Sequence, residues 1–220
     1  MKMSLINISF SALLAVLSSP ALTASGQDTP GQAAVVKEKL QTVRANCAKG
    51  RRQVAVTIEE LSRLTVPDVE LRPQFEKFKA ELVKMEEVAS SVRERADSMK
   101  AKGEKFFSDA EDQVFAIQNP DIRKAAEKRL SARKKSYGKV LSTIQEAKAE
   151  FEPFMSDLHD LKKMFDSELT TTSVKSAKDL LRQARWHGND VNDALEDVEK
   201  NSIAWRLNLP SINRKIFAIN

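Results

Sequence analysis

Apolar and small residues return along most of the chain in alternating steps of three and four, and four such stripes can be followed. The first is Val36, Leu40, Val43, Cys47, Gly50, Val54, Ile58 and Leu61. The second runs through Phe75, Phe78, Leu82, Met85, Ala89, Val92, Ala96, Met99, Gly103, Phe106 and Ala110. The third takes Tyr137, Val140, Ile144, Ala147, Phe151, Phe154, Leu158, Leu161 and Phe165. The fourth takes Val174, Ala177, Leu181, Ala184, Gly188, Val191, Leu195, Val198, Ser202 and Trp205. A period near 3.5 residues held for this long predicts helices packed along a seam, each with an apolar face that it cannot bury alone.

Turn residues between the stripes divide the chain. Helix one is expected from about Ala33 to Arg63, with Gly50 at a seam position suited to a close helix approach. Pro67 and Pro73 make the first corner, and helix two is expected from Pro73 to about Gln118. Asn119-Pro120-Asp121 joins a capping residue, a first-turn proline and an acid at the positive end of a helix dipole. Helix three should run from Pro120 to about Glu168 and bend, without stopping, before Pro153. Leu169 to Ser173 is the third corner, with Thr172 or Ser173 as the expected cap of helix four. At 1.5 Å per residue helices two and three would be roughly 70 Å long and the outer pair roughly 45 to 50 Å. The predicted fold is all-α: an elongated antiparallel helical bundle with a long coiled-coil hairpin, part of which projects as a two-stranded arm.

Composition agrees, with 30% charged and 6% aromatic residues among 220. The N-terminus adds location. Lys2, the apolar stretch Leu5 to Leu17 and the small-residue exit Leu22-Thr23-Ala24-Ser25-Gly26 read as a secretory signal peptide over residues 1–24, cut after Ala24 or, second, after Gly26. An uncleaved membrane anchor is the rival reading of that stretch. A flexible leader over 25–32, the helical domain over 33–205 and an apolar tail over 206–220 complete the expected organisation. The mature protein is then periplasmic or secreted, with no transmembrane span after processing. Loss of Lys2 takes the net charge from +5 to +4, a weak pull on anionic partners. Cys47 is the single cysteine, so no internal disulfide can form, and its place in the first stripe makes it a core residue. The tail, with Leu207, Leu209, Ile212, Ile216, Phe217 and Ile219 around Pro210, is expected to pack on the bundle or touch a partner or membrane surface.

Candidate chemistry is sparse. The cluster Arg123, Lys124, Lys128, Arg129, Arg133, Lys134, Lys135 and Lys139 invites phosphates, lipopolysaccharide or acidic lipid. Folding the hairpin at Asn119, however, sets Asp109, Glu111 and Asp112 against its first part. Farther along, Glu146, Glu150, Glu152 and Asp157 come opposite Arg95, Arg93, Lys84 and Lys79. Such blocks set register. Lys100, Lys102 and Lys105, facing Arg133, Lys134, Lys135 and Lys139, are left without obvious acids and form the candidate contact for an anionic partner. Without interleaved aromatics or a recognition motif, nucleic acid is not expected. His159 and His187 lack the Glu three residues before them that a di-iron bundle needs, and with one Cys they make no zinc set, so no metal or cofactor is expected. No phosphate loop, nucleophile elbow or convergent acid pair is present, and the chain is not expected to be an enzyme.

Asn119 with Ile122-Arg123, then Leu130, Tyr137 and the run Glu146-Ala147-Lys148-Ala149-Glu150-Phe151-Glu152-Pro153-Phe154-Met155 before Leu158 and Asp160, resembles an uncharacterised bacterial family, domain of unknown function 2959. The similarity spans about Cys47 to Trp205, and its specific part is about forty residues. Where that family carries a Leu-Lys-His-Asn-Leu-Asn-like corner, this chain has Phe165-Asp166-Ser167-Glu168-Leu169-Thr170. The resemblance implies an exported helical protein and carries over no catalytic residues. The expected function is a binding or structural scaffold of the cell envelope, meeting a protein partner or another copy of itself through its helices. The alternative is an envelope-surface module that touches anionic lipid or lipopolysaccharide through the basic zone.

Overall fold

A computed structural model describes residues 28–207, so the expected signal peptide and nearly all of the apolar tail lie outside the described residues. Five helices follow one another: α1 (Asp28–Arg63), α2 (Leu71–Phe115), α3 (Pro120–Ser167), α4 (Thr171–Ser176) and α5 (Lys178–Leu207). No strand occurs among the described residues. Helix α1 lies against α2 and α5, and α3 against α5 and, less closely, α2, which closes an up-down-up-down ring of four helices.

Several boundaries differ from expectation for local reasons. Helix α1 takes in the end of the expected leader because Asp28 suits a helix start and Pro30, in the first turn, has no intrahelical donor to lose. Helix α2 starts at Leu71, which places Pro73 inside its first turn. The Asn119 turn is as expected: its side chain accepts from the backbone N–H groups of Asp121 and Ile122 at 3.0 and 3.1 Å, with Pro120 at the first helical position. Helix α3 continues unbroken through Pro153. The cap of the next helix is Thr170, not Thr172 or Ser173. Extended backbone there lets the Thr170 hydroxyl accept from Ser173 N–H at 3.1 Å while Ser173 Oγ receives Thr170 N–H at 2.9 Å, a reciprocal capping box. The expected fourth helix is divided at Ala177 into α4 and α5.

All ten positions of the fourth stripe are buried, as are Val36 to Val54 and Leu61 of the first. Burial of Cys47, 1% exposed, pushes its thiol up from 9.0 to about 12, with Glu199 adding to the rise, so the thiol stays protonated at neutral pH. Two aromatic contacts pin α2 to α3. Near the base Phe75 meets Phe165 edge-on, with ring centres 5.9 Å apart. Higher up, Tyr137 lies over Gly103, where an added Cβ would come 2.1 Å from the phenol oxygen. Its hydroxyl donates to Met99 O at 2.8 Å, and its ring meets Trp205 of α5 at 5.9 Å. A hydroxyl buried with Tyr137 must find such a partner, and burial also raises its pKa.

Between these pins α2 and α3 separate. Ala89 and Val92 on α2, with Ile144 and Phe151 on α3, are seam residues that remain partly open, and all four line a chamber of about 190 Å³. Its walls reach Cys47 and Gly50 on α1 and Leu195 on α5. Small residues facing one another at Gly50, Ala89, Ala96 and Ala147 leave the space.

Candidate functional site

The predicted basic zone straddles the upper pin. Lys100, Lys102 and Lys105 lie on α2 beside Gly103, and Arg133, Lys134, Lys135 and Lys139 on α3 beside Tyr137. Three of the seven do have acids. Lys105 Nζ meets Asp109 at 2.8 Å, Lys100 meets Glu104 at 3.9 Å, and Lys134 crosses the hairpin to Glu111 at 2.5 Å. Lys100 and Lys105 meet acids one turn along their own helix, a spacing that matching α2 against α3 passes over, whereas Glu111, expected against the first part of the cluster, reaches Lys134. Lys102, Arg133, Lys135 and Lys139 meet no carboxylate among the described residues. Burial, and then Arg129, hold the Arg133 guanidinium below its usual pKa.

Farther down, the expected charge blocks do not pair as anticipated. Lys84 turns to Glu81 on its own helix at 2.7 Å. Lys79 reaches both Glu76 at 2.8 Å and, across the hairpin, Asp166 at 3.9 Å. Seating Phe75 against Phe165 brings Lys79 beside Asp166 and turns Asp157 towards α5.

Asp157 is where sequence reasoning missed a tertiary pair. It is 7% exposed, and its Oδ2 lies 2.7 Å from Nδ1 of His187, thirty residues on, while Gln183 donates to its other oxygen at 3.4 Å. The signal was an acid between Phe154 and Leu158, a position that asks for a buried partner. Next to His187, Trp186 is 67% exposed, its ring nearly parallel to the imidazole at 6.4 Å. His159 is separate, 3.2 Å from Glu86 on α2. No group of three His, Cys, Asp or Glu side chains that could hold a metal ion occurs among the described residues.

The end of the hairpin is different again. Helix α2 buries nothing after Ala110, and α3 buries nothing before Tyr137. Tyr137 contacts Trp205, two residues before α5 ends, so among the described residues α3 extends past α5 by about four turns, roughly 22 Å. At the tip Phe115 is 79% and Ile122 57% exposed. They flank the Asn119 cap, and Arg123 braces the turn by donating Nε–H to Ile117 O at 2.9 Å. Lys124, Lys128 and Arg129 follow, all exposed.

These features define an all-α antiparallel bundle with a solvated arm. A family model described as a protein of unknown function (DUF2959) matches residues 31–205, and the chain belongs to that family. Neither a curated protein nor a solved structure matches it. No helix of the described residues is long and apolar enough to cross a membrane.

Proposed function

We propose that the protein is an exported component of the cell envelope that works by binding, as a helical scaffold whose hairpin tip is its contact surface. The observation that carries this reading is the exposure of Phe115 and Ile122 at the end of an arm whose other large apolar residues, Val114, Ile117 and Leu130, are half-buried. Large apolar side chains grouped on a surface are characteristic of interaction sites. The bundle serves as a rigid base, and the Asn119 cap holds the tip in shape. Export rests on the basic start and apolar stretch of the N-terminus.

A second reading, direct contact with anionic lipid or lipopolysaccharide, is favoured by the cations that follow the tip and by Lys102, Arg133, Lys135 and Lys139. Co-sedimentation with phosphatidylglycerol vesicles at low and high salt separates the two. Salt-sensitive binding that falls in a Lys124→Glu/Lys128→Glu variant supports the lipid reading. Vesicle binding absent at either salt, with a crosslinked envelope protein lost from a Phe115→Ser/Ile122→Ser variant, supports the scaffold. If the tip variant loses neither, the tip is not the contact surface. Cell fractionation with a C-terminal tag tests export, and recovery in the cytoplasm would refute it.

A further inference from the structure

We propose that the corner between α1 and α2 is a binding site for a single-chain amphiphile with an anionic head, a carboxylate or a phosphate. The site is at the opposite end of the bundle from the hairpin tip and goes beyond the function proposed above. A pocket of about 790 Å³ opens between the corner loop and the chain from Thr171 to Arg185, a volume within the usual range of small-molecule sites. Leu64, Val174 and Leu181, each 5% exposed or less, make its floor. Val66 and Val69 of the loop line it too, and Asp68 between them turns the backbone through the left-handed region at φ 60°. Val66 is 52% exposed beside this floor, so its side chain is open to a ligand seated there.

Charge sets the polarity of the ligand. Lys175, Lys178, Arg182 and Arg185 line the pocket against one acid, Asp68. Arg182 also meets Asp179 at 3.0 Å, but both side chains are largely solvated, so that pair neutralises little. Arg185 is oriented by donating Nε–H to Ser62 Oγ at 2.9 Å, a bond that leaves its terminal nitrogens for another acceptor. Lys175 and Lys178 meet no carboxylate among the described residues. An apolar floor under an excess of cations fits a ligand with the converse pattern, an alkyl chain ending in an anion. Inorganic phosphate would satisfy the cations and leave the floor wet; a cationic amphiphile would satisfy the floor and be repelled.

Isothermal titration of the full chain with dodecanoate and with dodecyl phosphate, below their micelle concentrations, tests this. We expect one molecule of at least one of them per chain, and binding at least tenfold weaker for inorganic phosphate and for dodecyltrimethylammonium. Lys175→Glu/Lys178→Glu, at two exposed positions, should weaken binding at least tenfold with an unchanged melting temperature, and Val66→Asp should do the same through the apolar lining that the loop contributes. A difference between the two anionic amphiphiles identifies the head group. Equal affinity for the cationic amphiphile, binding of inorganic phosphate as tight as dodecyl phosphate, or no binding at all would overturn the proposal. So would undiminished binding by both variants, which would place the chain elsewhere, as in the chamber between α2 and α3. Phe115→Ser/Ile122→Ser should bind as the unaltered protein does, so failure here and failure of the tip as a contact surface are read separately.

Discussion

The two halves of the α2–α3 hairpin are built from similar helix-forming residues, yet they meet different surroundings. In the lower half, Phe75, Phe78, Phe154, Leu158, Leu161 and Phe165 are each 1% exposed or less, because α1 and α5 cover the pair. In the upper half α3 passes seventeen residues, from Pro120 through Ser136, before burying one. Coiled-coil spacing gives a helix an apolar face, whereas the number of neighbouring helices decides how dry that face becomes. The upper half stands on helix propensity, the Asn119 cap and pairs such as Lys134 with Glu111, contributions of a few tenths to about one kcal/mol each.

Substitution in the lower half should therefore cost most. Phe75→Ala removes a ring packed on Phe78 and Phe165, with Lys79 4.9 Å above it, and should destabilise the protein by about 3–5 kcal/mol in urea unfolding. A loss below about 1 kcal/mol would mean that the base is not held by this pin. Gly103→Ala, where the bundle gives way to the arm, comes next. Its Cβ would displace a phenol ring whose atoms lie 2.1 to 2.6 Å away, an overpacking cost of about 1–3 kcal/mol. Combining it with Tyr137→Leu should cost clearly less than the sum of the two single changes, since both act on one contact. Strict additivity would disconnect the ring from the glycine.

That contrast explains what could be read from the residues alone. Stripe positions were legible wherever four helices converge, since burial there repeats with the helix period: Val174 through Trp205 are buried in turn at every expected step. The Asn119 turn was legible because its determinants are three adjacent residues. Thr170 was harder, because Thr172 and Ser173 offer the same cap chemistry and the choice rests on which residue takes extended backbone. Asp157 and His187 are thirty residues apart on different helices, so their pairing depends on how α3 is rotated, which Phe75 and Phe165 decide. The same rotation displaces the expected charge blocks. The corner pocket joins residues from Leu64 to Arg185, and no local pattern announces a surface assembled from both sides of the fold.

Alkali gives a smaller and graded effect on the interior. The Cys47 thiol is raised in the folded state from 9.0 to about 12, so folding favours the protonated form. Its contribution is fully present below pH 9 and is lost as pH rises towards 12, by at most about 1.4 kcal/mol for each unit inside that window. Melting temperature should fall between pH 8.5 and 10.5 more steeply in the parent than in Cys47→Ala. Equal slopes would mean that the wall of the chamber is wetter than its 1% exposure indicates.

The least effect on stability is expected at the tip. Phe115→Ser and Ile122→Ser alter side chains already in water, so together they should change unfolding free energy by no more than about 0.5 kcal/mol in either direction. Each replacement removes apolar surface from solvent contact in the folded and unfolded chains alike, which is why the two states shift together. A loss above about 2 kcal/mol would show that these residues are covered in solution, by another copy of the protein or by part of the chain outside residues 28–207. Repeating the measurement over a hundredfold range of protein concentration separates those cases, because only association with another copy makes stability depend on concentration. Stability unaffected by the substitutions, together with loss of a bound partner, is the result that keeps the arm as a contact device and the lower bundle as its support.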